Sequence, residues 1–135
     1  MPLLLDADYE RLRDAAIAFE ESEPHRFLIF LGVKPQTPKY TVDVCDVLVV
    51  IPPNYPQAGN DMFWTSPQLI RADGKDIPQV LGPGGGDNRV WNGREFCRWS
   101  RHWFPSLPGA WRPGKDDVIT IYRRIVWALE HPDCS

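Results

Sequence analysis

The chain has 135 residues, a formal charge of -3 and an isoelectric point near 5.5, with 43% hydrophobic and 24% charged residues. That length makes a single domain, residues 1–135, whose core needs neither disulfide nor metal, and the acidic balance excludes nucleic acid or an anionic membrane as the main partner. Three cysteines, odd in number and without a Cys-x-x-Cys pair, exclude a disulfide framework and fit a reducing, cytoplasmic compartment.

The N-terminal MPLLLDADYE has no basic start and only a short leucine run, so no targeting segment is expected, and nowhere do apolar residues extend far enough to span a bilayer. Leu5, Tyr9, Leu12, Ala16 and Phe19 recur at spacings of three and four, with Asp6 and Asp8 early and Pro24 beyond. This spacing predicts an amphipathic first helix reaching Phe19. Residues 27–33 (FLIFLGV) and 40–51 (YTVDVCDVLVVI) are rich in β-branched and aromatic residues and are joined by KPQTPK, so they predict adjacent antiparallel strands. A third, short strand is expected at Met62 to Thr65, after PPNYPQAGND. Nine of the ten glycines and nine of the fourteen prolines then lie between Pro52 and Gly114, which predicts a long loop with little regular structure. From Asp116 or Asp117, a natural cap, an apolar face of Val118, Ile121, Tyr122, Ile125 and Leu129 predicts a C-terminal helix closed by Pro132.

The loop carries NGREFCRWSRHW, residues 92–103. A cationic, partly exposed setting lowers a thiol pKa, so Cys97 is the candidate nucleophile, Arg94 and Arg98 are the candidate thiolate-stabilising residues, and Arg101 belongs to the same cluster. Trp91, Trp99, Trp103 and Trp111 are read as aromatic anchors of that segment. Cys45 alternates with strand residues and reads as core, and Cys134 sits beside the terminus. GPGGG, residues 82–86, lacks the Gly-Lys-Ser/Thr ending, the preceding strand and the following helix of a phosphate cradle. The Cys and His residues lack metal-ligand spacing, so neither metal nor cofactor is expected. His102 follows Cys97 closely, but a cysteine-hydrolase base normally arrives from a distant segment, which disfavours a dyad.

An ordered set of short motifs carries a family resemblance. IPPNYP (51–56), FWT (63–65), NGREFC (92–97) and WRP (111–113) followed by DDVITIYRRIVWALEHP resemble, in the same order, the motifs of ubiquitin-conjugating enzymes. The chain is similar to a divergent bacterial branch of that superfamily, the prokaryotic family-E type. The resemblance implies an α+β, UBC-like fold: an N-terminal helix, a small antiparallel β-meander, a long Cys-bearing active-site loop and a C-terminal helix. Departures are GDN (86–88) in place of the family's His-Pro-Asn, a spacer one residue longer before the cysteine, Arg98 where Leu is common, and a chain that stops after the second helix.

What the resemblance implies functionally is conjugation of a ubiquitin-like protein. Cys97 would take the ubiquitin-like C-terminus from an adenylating activating enzyme as a thioester and pass it to a target protein amine. Asn88, with Asn92 as the other candidate, would donate to the oxyanion; Asn92 also has a turn role before Gly93. Arg11 and Arg13, outside the apolar stripe of the first helix, would dock the activating enzyme. Two alternatives stand beside this: a noncatalytic module that binds a ubiquitin-like protein on the same fold, and an interaction scaffold in which Cys97 is a buried, oxidation-sensitive thiol.

Overall fold

Helix α1 (Asp6–Asp14) starts where the Asp8 carboxylate accepts the Leu5 N–H at 3.0 Å, in a computed structural model that describes residues 2–102 and 110–134. The helix ends earlier than the apolar spacing predicts. Ala16 has φ of 56°, in the left-handed region that does not continue an α-helix, and the chain turns there. Phe19 therefore belongs to strand β1 (Phe19–Ser22), where it pairs with Phe30. The spacing still reports a shared side, since the Tyr9 and Phe19 rings lie 6.0 Å apart.

Strand β2 (Phe27–Val33) matches its predicted span, and β4 (Phe63–Ser66) is shifted by one residue. Strand β3 (Cys45–Val50) begins later than predicted, because Tyr40 and Thr41 turn aside to pair with the segment at Ile70 and Arg71. The largest correction lies in the long loop. Residues Arg89–Trp91 form β5 and Arg94–Trp99 form β6, an antiparallel hairpin closed by Asn92 and Gly93. Both turn residues have positive φ, 54° and 76°, the geometry that suits a two-residue hairpin and that Asn-Gly adopts readily. Helix α2 (Val118–Glu130) is capped as predicted by Asp117, whose side chain accepts the Ile119 and Thr120 N–H groups. Trp103 lies outside the described residues.

All strand pairings are antiparallel, in the order β1-β2-β3-β4-β6-β5. Strand alternation divides the apolar residues into two layers. Leu28, Phe30, Val47, Val49, Phe63 and Trp99 face Leu12 of α1 and Ile121, Ile125 and Leu129 of α2. The opposite face holds Phe27, Ile29, Leu48, Trp64 and Phe96, all at most 7% exposed with no helix among the described residues over them. Curling of the sheet accounts for this: Trp91 of β5 meets Phe27 of β2 edge-on, 6.3 Å away, across the concave side. Arg89 and Arg94 lie over the Trp64 and Phe96 rings and complete the cover.

Asp8 joins three distant segments. One carboxylate oxygen accepts Leu5 N–H and the Tyr55 hydroxyl, and the other accepts Val118 N–H at the start of α2. A buried carboxylate is stable only with such partners, and a helix N-terminus supplies the favourable end of its dipole. The Trp111 ring, held by a hydrogen bond from Nε1 to Pro56 O, packs on Gly59 so closely that a Cβ there would lie 2.3 Å from it. No helix among the described residues is long and apolar enough to cross a membrane.

Candidate functional site

Cys97 occupies the interior of β6, not a loop. It faces Thr65 across the β4–β6 pairing, and it is 2% exposed. The outer edge of β6 is also occupied, by β5 along its first half and by residues 80 and 81 beyond it, through the Val80–Trp99 bridge and the Leu81 N–H to Arg98 O bond.

Electrostatics at the thiol also depart from the expected pattern. Burial, followed by the nearby Glu95 carboxylate, pushes the Cys97 pKa up. Arg94 pairs with Asp46 at 2.7 Å, and Arg98 pairs with Asp87 at 3.1 Å. Their charges are thus answered by acidic partners across the fold. Arg101 is buried over the Trp99 ring and donates to Pro78 O and Pro132 O, so it joins the C-terminus to the sheet. Cys45 is a buried core thiol, its pKa raised by burial to about 12, and Cys134 is exposed.

Asn88 is brought to Cys97. Its Oδ1 accepts the Arg98 N–H at 3.0 Å, while Nδ2 donates to Gly82 O at 2.8 Å and to Glu95 at 3.1 Å. In that position Nδ2 stands 3.9 Å from Cys97 Sγ. The glycine run has a local use here: Gly85 N–H bonds Gly82 O, Asn88 N–H bonds Gly85 O, and Gly84 N–H donates to Glu95, which wraps the segment around the Asn88 side chain. Glu95 is the site residue that sequence reasoning missed. The signal that finds it is strand alternation, which sets residues two apart on one face, and it applies only once residues 94–99 are known to be a strand. Asn88 and the Gly84 N–H hold its carboxyl below the usual range. Asn92 sits at the exposed hairpin tip, where its positive φ serves the turn. Arg11 is exposed and pairs with Asp117 at 3.3 Å, and Arg13 is exposed on the same helix.

A capped C-terminal helix packed on a curled antiparallel sheet, with a Cys and an Asn brought together beyond the fourth strand, is compatible with a ubiquitin-conjugating, E2-like class of protein. A family model described as prokaryotic E2 family E matches residues 4–132, and the chain belongs to that family. No curated protein and no solved structure matches it. The family points to ubiquitin-like conjugation as the setting of this protein's activity.

Proposed function

We propose that the protein carries a ubiquitin-like protein on Cys97 and delivers it to an amine. The observation that carries this reading is the pairing of Cys97 with Asn88 at 3.9 Å, in a chain of the E2 family. In the loading step the Cys97 thiolate attacks the thioester that joins the ubiquitin-like C-terminus to the activating enzyme. The new C–S bond forms, the old one breaks, and the activating enzyme leaves as a thiolate. In the discharge step a neutral amine of the target protein attacks the Cys97 thioester, the nitrogen gives up a proton to water, and the Cys97 thiolate leaves as the amide forms. Asn88 then donates to the oxygen that becomes negative at each attack.

A thiol 2% exposed cannot react in place, so loading requires a local opening beside β6 that leaves Asn88 next to Cys97. Docking of the activating enzyme on the exposed face of α1, at Arg11 and Arg13, is assigned to the same reading, and the three free cysteines fit a cytoplasmic setting. The second reading, a noncatalytic module that binds a ubiquitin-like protein, is favoured by one observation, the buried Cys97 with its raised pKa.

One assay separates the two. With activating enzyme, ubiquitin-like protein and ATP, the wild type is expected to form an adduct that thiols cleave, retained in Cys45→Ala and Cys134→Ala and lost in Cys97→Ala. Binding of the ubiquitin-like protein without any adduct would establish the noncatalytic reading instead. Reversing Arg11 and Arg13 to Glu is expected to slow loading and reduce its salt dependence.

A further inference from the structure

His102, five positions beyond Cys97 in sequence, is hydrogen-bonded to a different nucleophile. Its Nε2 lies 3.0 Å from Ser100 Oγ, and its Nδ1 lies 2.7 Å from Asp61 Oδ1. The three groups come from two segments that only the fold brings together, the end of β6 and the residues just before β4. An imidazole held by a carboxylate at Nδ1 and facing a hydroxyl at Nε2 has the tautomer needed to take the hydroxyl proton. Asp61 and His102 are both open to solvent, with side chains 69% and 42% exposed, and Ser100 is partly exposed. An exposed contact between a carboxylate and an imidazole stabilises little, so fold stability does not account for the full relay.

A place for substrate adjoins it. Asp61 lines an apolar hollow of about 230 Å³ together with Val50, Pro52, Gly59, Met62 and Trp64. Extending the Phe63–Trp99 pairing by one residue sets Ser100 beside Met62, on the face to which Trp64 and Phe96 contribute. The hydroxyl and the hollow thus belong to the same side of the sheet.

We infer that Ser100, His102 and Asp61 form a nucleophilic site that accepts the acyl group of an activated ester or thioester. Ser100 is the nucleophile, His102 the base, and Asp61 the positioning residue. The Ser100 Oγ–H proton passes to His102 Nε2 as the Oγ–C bond forms at the acyl carbonyl; the bond to the leaving group breaks, and the leaving group takes the proton from Nε2. Water, deprotonated by the same imidazole, then attacks the acyl-Ser100 carbonyl, and Ser100 recovers a proton as the carboxylic acid departs. This chemistry is separate from the Cys97 thioester and needs neither an activating enzyme nor a ubiquitin-like protein.

The test uses the full chain with a fluorophosphonate, which phosphonylates a serine activated by a base, followed by intact mass and peptide mapping. Labelling at Ser100 is expected, absent in Ser100→Ala and slowed by roughly 10²-fold in His102→Gln. Added imidazole is expected to restore part of the rate in His102→Gly. Asp61→Asn is expected to slow labelling at least about tenfold, and Asp61→Glu to recover part of it, which loss of a merely structural contact would not produce. The acyl arm is p-nitrophenyl acetate: a burst of nitrophenol with an acetyl group on Ser100 is expected in the wild type and not in Ser100→Ala. Circular dichroism identifies any variant that fails to fold, and the exposed Asp61 variants keep the test decisive in that case. Absence of label at Ser100, or label at a rate indifferent to His102 and Asp61, would overturn the inference.

Discussion

Cys97 and Asn88 define the residue scale, and both are held by ordinary backbone bonding. The thiol is buried, and burial with Glu95 nearby raises its pKa. Iodoacetamide at pH 8 is therefore expected to modify exposed Cys134 quickly and Cys97 at least about a hundredfold more slowly, since the thiolate and its access both limit alkylation. Mass spectrometry of quenched samples checks this order. Asn88→Ala removes the bonds to Gly82 O, Glu95 and the Arg98 N–H. It is expected to lower stability by about 1–3 kcal/mol, because an inner N–H loses its acceptor, and to accelerate Cys97 alkylation. Urea unfolding and the same alkylation assay measure the two effects. Faster alkylation would tie the Gly82–Asn88 segment to exposure of the thiol; an unchanged rate would show that the thiol is reached by another opening. Single-turnover discharge to an amine, slowed in this variant, tests the oxyanion role separately.

Elements depend on a few backbone positions. Gly93 has φ of 76° and no atom within 4 Å of where a Cβ would stand, so Gly93→Ala introduces backbone strain without a clash. A loss of about 1 kcal/mol is expected, and it falls on the hairpin that carries Cys97. Asp117→Ala removes the cap of α2 and the Arg11 partner together. About 1 kcal/mol is expected from the cap, with little added by the exposed ion pair. Denaturant midpoints give both values. Hydrogen exchange then distinguishes them, with protection lost over β5 and β6 in the first variant and at the first turn of α2 in the second. Legibility in the sequence differs between these elements for a physical reason. Helix α2 displays its own cap and apolar face, and β2 displays its own β-branched run. Strand β6 does not: REFCRW mixes charge and apolar residues on each face because the strand runs from the exposed hairpin tip into the buried sheet, so its pairing partners decide its state. Helix α1 reads too long because Phe19 continues a helical spacing even after Ala16 has reversed the chain.

At the scale of the whole molecule, buried cysteines and tyrosines whose protons are held by folding shape the alkaline limit. Burial raises Cys45 to about 12, and burial with the hydrogen bond to Glu21 raises Tyr9 to about 12. Unfolded, these groups ionise at ~8.5 and ~10. Their native forms therefore bind more protons above those values, and stability is complete below them and falls as pH rises. The fall begins at pH ~8.5 with Cys45 and Cys97, each adding at most about 1.4 kcal/mol per pH unit, and steepens above pH ~10 as Tyr9, Tyr40 and Tyr55 join. Thermal melts from pH 7 to 11 check this, and Cys45→Ala is expected to reduce the earlier part of the decline while lowering stability at neutral pH.

What the amino-acid sequence determined by itself was local in kind. Asp116 or Asp117 caps a C-terminal helix, Asn92-Gly93 marks a turn, FLIFLGV forms a strand, and the ordered IPPNYP, FWT, NGREFC and WRP motifs led to the E2 family that residues 4–132 match. Each of these signals acts between neighbours, so it survives in one dimension. Only the tertiary structure decided how the charges around Cys97 are used. Arg94 answers Asp46 on β3 and Arg98 answers Asp87 before β5, so a cluster that reads as cationic along the chain is neutralised across it. The same cross-chain geometry sets Asp61 on His102 and His102 on Ser100. Coulomb attraction and hydrogen bonding depend on distance in space, and strand pairing, not sequence order, sets those distances.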